Sequence, residues 1–166
     1  MTTAQQQAYD AAIYQQVTSM GIPDVVAKNI VAQARHESGD YTSNVFNHTN
    51  NAFGYTYFPL SNWQTGDGYE GFAVYSNIQH SAGEVADWLK RREKDGKFSI
   101  ASLTTPEAYA TALHSNGYFT DAVENYINGM KAAFSRINWQ TVAVVGGGSA
   151  AVLLLVVAFF LLITKK

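Results

Sequence analysis

Residues 34–43 read ARHESGDYTS, which places the carboxylate of Glu37 directly after the basic pair Arg35 and His36 and two positions before Gly39. Gly39 is a typical helix end, because glycine adopts the left-handed conformation at little cost. The last turn of a helix favours cations, since the helix dipole is negative there. Glu37 is therefore unusual for its position, and two interpretations follow: a solvated residue of the last turn, or a buried acid held for chemistry.

The helix that carries Glu37 is predicted over residues 23–37 or 23–38, because Pro23 suits the first position of a helix. The helical neighbours that precede Glu37 carry no charge: Ala34, Gln33, Ile30 and Val26. Glu37 then continues a core-facing stripe, where desolvation raises the pKa of a carboxyl and keeps it protonated near neutral pH. A general acid for glycosidic cleavage needs that protonated state. The alternative is a stripe that ends at Ala34, with Glu37 in water.

Residues 40–75 have a different character and are rich in Asn, Thr, Gly and aromatic residues. Eight aromatic side chains lie between residues 41 and 69: Tyr41, Phe46, Phe53, Tyr55, Tyr57, Phe58, Trp63 and Tyr69. Aromatic faces beside amides and hydroxyls suit a neutral sugar chain, although several of these rings are expected in the core. The stretches YTYF and FAVY alternate like short strands, so we expect loops and a small β-hairpin with its turn at 65–68.

Further helices are predicted after the hairpin. Ser81 and Glu84 have the spacing of a capping box, which predicts a helix start. That helix ends in the basic cluster KRREK at 90–94, which we interpret as a solvated end that complements the helix dipole. Another helix is predicted to begin at Pro106, and the last over residues 120–136.

Four short motifs follow one another along the chain. They are ESG at 37–39, NAFG at 51–54, FAVYSNIQHSAGEVADWLKRR at 72–92 and GYFTD at 117–121. In this order they resemble the glucosaminidase group of peptidoglycan hydrolases, glycoside hydrolase family 73, over roughly residues 20 to 130. The chain departs from that pattern at His36, Tyr55 and Ala122, where family members often have an apolar residue, a lysine and a proline.

The resemblance implies a lysozyme-like α+β fold, mostly helical, with a cleft between a helical lobe and a small β-hairpin lobe. It also implies that Glu37 is the general acid. A second carboxylate is expected on the β lobe, where Glu70 is the first candidate and Asp67 the second. The expected substrate-binding residues are Asn51, Phe53, Tyr55 and Tyr118. Tyr118 corresponds to the family tyrosine near the scissile sugar, where it either orients the N-acetyl group or simply packs.

The activity that the resemblance implies is cleavage of a β-1,4 bond between N-acetylated sugars of a peptidoglycan strand. Glu37 would protonate the bridging oxygen while an oxocarbenium-like charge develops. Either Glu70 then activates water or stabilises that charge, or the acetamido group of the substrate assists, and the sequence leaves both schemes open. A lytic transglycosylase and a non-catalytic structural or glycan-binding protein are the alternatives.

The composition excludes several other classes of function. The chain has no cysteine, which excludes disulfides, thiolate metal sites and a cysteine nucleophile. Its formal net charge of −2, with acids and bases interspersed, gives no basic stripe for nucleic acid. The four histidines lack paired ligand spacing, so we expect no metal and no cofactor.

The C-terminal part is strongly apolar. Residues 142–163, VAVVGGGSAAVLLLVVAFFLLI, are 22 consecutive positions without a charge. A helix of that length spans about 33 Å, enough for a bilayer core, and Lys165 and Lys166 follow it. We therefore predict a glucosaminidase domain at 1–138 and a C-terminal transmembrane anchor at 139–166.

The predicted anchor suggests a cellular setting. The first ten residues lack the basic start and apolar run of a secretory leader, so we expect the tail to be the anchor of a single-pass membrane protein. A wall-cleaving domain with such a tail fits a bacteriophage that opens the host wall on entry. The expected location is a virion membrane or a bacterial cell membrane, with virion membrane or capsid proteins as further partners.

Overall fold

The computed structural model of the protein describes residues 1–142. These residues form a mostly helical α+β domain with one small sheet. Its elements are α1 (Thr3–Ser19), α2 (Asp24–Glu37), α3 (Asn44–Thr49), β1 (Gln64–Asp67), β2 (Ala73–Tyr75), α4 (Ile78–Lys94), α5 (Pro106–Ser115) and α6 (Val123–Arg136). Two short 3₁₀ turns, Tyr69–Gly71 and Ile100–Ser102, follow β1 and α4.

Helix α2 lies at the centre of the helical lobe, in contact with α1, α5 and α6. The stripe predicted from its sequence is buried: Val26, Ile30, Gln33 and Ala34 are each fully shielded from solvent. Pro23 directly precedes α2, and Asp24 occupies the favourable first turn. The helix ends at Glu37, so the last side chain of the stripe lies at the C-terminal end of α2.

A buried ionic cluster holds the chain that follows Glu37. The Arg35 guanidinium donates from Nη2 to Asp10 Oδ2 at 2.6 Å and from Nε to Asp10 Oδ1 at 2.9 Å, which joins α2 to α1. The Tyr41 hydroxyl donates to the same Asp10 carboxylate at 2.8 Å. Asp40 bridges Arg35 and Arg136 at 3.3 and 3.0 Å. These contacts stabilise three successive left-handed residues, at positions 39–41, that turn the chain away from α2.

The β lobe is an antiparallel pair extended by one further bridge. Strand β1 pairs with β2, from Gln64 opposite Tyr75 to Asp67 opposite Ala73, and Thr56 bridges Phe72 on the other side. The turn predicted at 65–68 is wrong, because 64–67 form a strand and the connection runs through the 3₁₀ turn at Tyr69–Gly71. Gly68 is needed for packing, since a Cβ there would lie 2.4 Å from a methyl group of Val74.

The start of α4 also differs from the prediction. The helix begins at Ile78, and the Asn77 side chain caps it by accepting from the His80 N–H at 3.0 Å. Ser81 and Glu84 are therefore inside the helix rather than at its cap. Glu84 faces the β lobe and is buried there.

The structure corrects two predictions, the C-terminal transmembrane helix and the single-pass membrane location that depended on it. Within residues 1–142 no helix combines the length and the apolar character needed to cross a bilayer. The longest, α1 and α4, have 17 residues each. Their glutamines and charged side chains are costly to bury in hydrocarbon. The predicted span at 142–163 lies, apart from Val142, outside the described residues, and the domain boundary after 138 stays a prediction.

Candidate active site

Glu37 lies half-buried at the end of α2, between the helical lobe and the loop that leads into the β lobe. Its Oε1 accepts a hydrogen bond from the Tyr126 hydroxyl at 2.5 Å. Its Oε2 faces the backbone of Gly54, where a Cβ would lie 3.9 Å away. Burial raises the pKa of Glu37, and the hydrogen bond from Tyr126 opposes part of that rise. The carboxyl can therefore hold a proton closer to neutral pH than a solvated glutamate can.

Tyr126 is positioned by rings on two sides. It is buried in α6, stacks on Phe119 with ring centroids 3.9 Å apart, and meets the edge of His36 at 4.9 Å. Burial first, and then the charge of Glu37, raise the pKa of Tyr126, so its hydroxyl stays a donor. Sequence reasoning missed this residue because 89 positions separate it from Glu37.

A buried amide lies in the same helix one turn before Glu37. The Tyr109 hydroxyl donates to Gln33 Oε1 at 2.6 Å, which orients the side chain. Gln33 Nε2 is buried, and the amide acts on the Tyr126 hydroxyl, where it opposes part of the rise in the pKa of Tyr126 that burial causes. Gln33 thus links Tyr109 of α5 to Tyr126, the residue that binds the acid.

The turn opposite Glu37 is built by Asn51. The Asn51 side chain accepts from the N–H groups of Phe53 and Tyr55, each at 3.2 Å, and donates to the Tyr55 carbonyl at 2.7 Å. Gly54 has φ +70°, a left-handed value that glycine adopts readily. Asn51 is buried with its amide occupied, so it shapes the turn. A direct contact of Asn51 with substrate stays a prediction.

A pocket of about 280 Å³ lies beside this turn, and we call it the Tyr55 pocket. Its lining includes Phe53, Gly54, Tyr55, Trp88, Gly117 and Tyr118. The Tyr118 ring meets Tyr55 and Trp88 edge to face, each at 5.5 Å. The Tyr118 hydroxyl donates to the Phe53 carbonyl at 2.8 Å, which ties the GYFTD segment to the Asn51 turn. The Tyr55 hydroxyl is also buried: burial and the charge of Glu84 raise the pKa of Tyr55, and the Tyr118 hydroxyl opposes part of that rise.

The structure brings three of the four predicted substrate-binding residues, Phe53, Tyr55 and Tyr118, to one pocket. Gly54 lines that pocket, and a Cβ placed on Gly54 would lie 3.9 Å from Glu37 Oε2. The pocket combines aromatic faces with a buried hydroxyl, which suits a sugar that carries an N-acetyl group. An acid and an aromatic pocket therefore adjoin each other across one glycine.

Glu70 and Asp67, the two candidates for a second carboxylate, are both exposed. Glu70 lies in the 3₁₀ turn Tyr69–Gly71 with a left-handed φ of 54°, and Asp67 ends β1. No hydrogen bond or ion pair among the described residues joins either carboxylate to Glu37. The structure thus places both on the β lobe but not in contact with the acid.

A different carboxylate, Glu84, is buried between α4 and the β lobe. It is 7% exposed and accepts from Gln64 Nε2 at 2.9 and 3.0 Å, and from the Tyr75 hydroxyl. Its oxygens are therefore satisfied by neighbours in β1 and β2. Sequence reasoning missed this contact, because the spacing from Ser81 indicated a helix cap instead.

Comparison with known proteins agrees with the motif order. Residues 11–138 match the family described as Glucosaminidase, mannosyl-glycoprotein endo-beta-N-acetylglucosaminidase. The chain belongs to the glucosaminidase family. The match confirms the predicted resemblance, and with it a glycoside hydrolase that acts on peptidoglycan. No curated protein matches the chain in sequence.

One solved structure similar to this glucosaminidase is described as a type VI secretion system effector-immunity complex from Pseudomonas protegens. The two chains are 18% identical with a TM-score of 0.47, over 75% of this chain and 94% of that chain. A likeness this low decides neither a partner nor a site. The predicted phage setting and the virion partners have no support from either match.

Proposed function

We propose that this glucosaminidase cleaves a β-1,4 bond between N-acetylated sugars of a peptidoglycan strand, with Glu37 as the general acid. The supporting observation is a half-buried carboxyl, with its pKa raised by burial, next to an aromatic pocket. Glu37 gives its proton to the bridging oxygen as the bond from that oxygen to the sugar C1 breaks. Tyr126 holds Oε1, which leaves Oε2 on the side of Gly54, a residue that also lines the Tyr55 pocket.

The second step is assigned to the substrate. The acetamido oxygen attacks C1 and forms a cyclic intermediate, an exception to the scheme with two carboxylates. Water then opens that ring, and the Glu37 carboxylate takes the proton from water. Both candidates for a second carboxylate, Glu70 and Asp67, are exposed, whereas the acetamido group is attached to the carbon next to C1, which favours this scheme. The Tyr118 hydroxyl donates to Phe53, and its oxygen can still accept from the acetamido N–H.

The deciding experiment is Glu37→Gln, with Glu124→Gln as a matched control on an exposed glutamate of α6. We expect release of reducing ends from purified peptidoglycan to fall by about 10² to 10⁴-fold in E37Q, the usual contribution of a general acid. E124Q keeps the wild-type rate, and thermal unfolding checks that both variants fold. An E37Q protein that still clears peptidoglycan at the wild-type rate would refute the assignment.

Product analysis distinguishes hydrolysis from the lytic transglycosylase reaction, which uses one acid as well. Hydrolysis adds one water per bond and leaves a reducing sugar, whereas transglycosylation forms an anhydro-sugar without water. Mass spectrometry of the digested strands separates the two products. The identity of the new reducing sugar also shows which of the two β-1,4 bonds is cleaved.

A further inference from the structure

A second pocket, of about 290 Å³, lies between α4 and the loop that precedes β1. We call it the Arg91 pocket, and its lining includes Phe58, Leu60, Trp63, Glu84, Asp87 and Arg91. The Arg91 pocket has no part in the proposed cleavage, since Glu37 and the Asn51 turn lie outside its lining.

The Arg91 pocket continues the Tyr55 pocket along the same two elements. Residues 53–56 line the Tyr55 pocket, and the same loop lines the Arg91 pocket from Phe58 to Trp63. On α4, Trp88 lines the first pocket, while Asp87 and Arg91 line the second, and residues three or four apart share a helix face. The same loop and the same helix therefore line both pockets.

One cation in this pocket is unpaired. Glu84 accepts hydrogen bonds from Gln64 and Tyr75, and Asp87 Oδ2 accepts from Trp63 Nε1 at 2.7 Å. Arg91 is exposed, and no hydrogen bond or ion pair in residues 1–142 involves its guanidinium. The lining therefore carries two carboxylates held by neutral donors and one arginine without such a partner in residues 1–142, and a ligand carboxylate can bind at Arg91.

The outer edge of the pocket is apolar. Phe58 is 54% exposed and Leu60 is 80% exposed, at the tip of the loop. Trp63 forms a rigid wall, because it packs so closely on Gly83 that a Cβ there would lie 2.6 Å from the indole ring. Exposed apolar side chains next to an unpaired cation suit a ligand with small apolar groups and a negative end.

We propose that the Arg91 pocket binds the peptide stem that peptidoglycan carries on every second sugar of the strand. This inference rests on the proposed function, because the stem is attached to the glycan that the Tyr55 pocket would hold. The stem supplies alanine methyl groups for Phe58 and Leu60, and free carboxylates for Arg91. The basic end of α4 then has a binding role at Arg91, in addition to complementing the helix dipole.

The test compares two ligands on the full-length E37Q protein, which holds strands without cleaving them. One ligand is a set of peptidoglycan strands with stems, and the other is the same strands after an amidase has removed the stems. We expect calorimetry to give roughly tenfold tighter binding to the strands with stems. Arg91→Gln, added to E37Q, lowers that ratio about threefold to fivefold, as expected for one exposed ion pair. The matched control is Lys90→Gln, an exposed neighbour on α4 outside both pockets, which keeps the ratio.

The inference would be overturned if E37Q bound the strands with and without stems equally tightly. It would also be overturned if R91Q and K90Q lowered the affinity ratio by the same factor. Failure of the proposed function has a separate readout. It would appear as cleavage products in the mass spectrum of strands incubated with E37Q.

Discussion

The ionisable side chains next to Glu37 in the helical lobe and the acids of the β hairpin differ in burial. In the helical lobe Asp10, Arg35 and Tyr126 are buried, and each has a hydrogen-bond partner. In the β lobe the acids Asp67 and Glu70 are exposed, and apolar Phe58 and Leu60 also face solvent. This difference indicates that the helical lobe sets the position and pKa of the acid, while the β lobe offers an open surface to the glycan.

The largest loss of stability should come from breaking the buried ionic cluster of Asp10, Arg35 and Tyr41 in the helical lobe. Asp10→Asn leaves the buried Arg35 with only the Asp40 carboxylate at 3.3 Å, and breaking a buried pair costs roughly 3–5 kcal/mol. Urea unfolding should therefore show a free energy of unfolding lower by about that amount. The β-lobe counterpart is Asp67→Asn, an exposed acid, which should change stability by less than about 0.5 kcal/mol. Equal losses in the two variants would contradict the division between the lobes.

Removal of the hydroxyl that binds the acid should have a smaller effect. Tyr126→Phe deletes a partly buried hydrogen bond, which lowers stability by about 1 kcal/mol. That bond also lowers the pKa of Glu37 against the effect of burial, so its loss raises the pKa further. Because the reaction needs the protonated acid, the alkaline limb of the kcat/KM profile should move to higher pH.

The measurement is the pH dependence of reducing-end release, with Tyr57→Phe as the control in the β lobe. Tyr57 is 40% exposed, and replacement of its ring hydroxyl should leave the profile unchanged. A Tyr126→Phe limb that moves to lower pH would mean that the hydrogen bond favours the protonated carboxyl instead.

The sequence predicted those features of the helical lobe that depend on local spacing. The period of Val26, Ile30, Gln33 and Ala34 predicted a buried stripe, and the stripe gave the direction of the Glu37 pKa shift. Both follow from helical geometry within a few turns, so they need no knowledge of the rest of the fold.

Contacts between distant parts of the chain could not be predicted in this way. Tyr126 approaches Glu37 because α6 packs on α2, and Glu84 is buried because β1 and β2 supply its donors. The hairpin turn was predicted wrongly because Gly66 and Gly68 resemble turn residues, whereas Gly68 is required by the packing of Val74. In each case tertiary packing overrides the local signal.

The smallest effect is expected from Glu70, although the family pattern made it the first candidate for a second carboxylate. Its side chain is exposed on the 3₁₀ turn and has no contact with Glu37, so Glu70→Gln should lower kcat/KM by less than about tenfold. Glu37→Gln, measured on the same peptidoglycan, should lower it by about 10² to 10⁴-fold. Equal losses would mean that the β lobe supplies the second carboxylate, which in an inverting enzyme stands about 6.5–9.5 Å from the acid with the attacking water between them. A small loss in E70Q leaves the acetamido group of the substrate as the nucleophile, and the open β lobe then contributes only to binding the glycan.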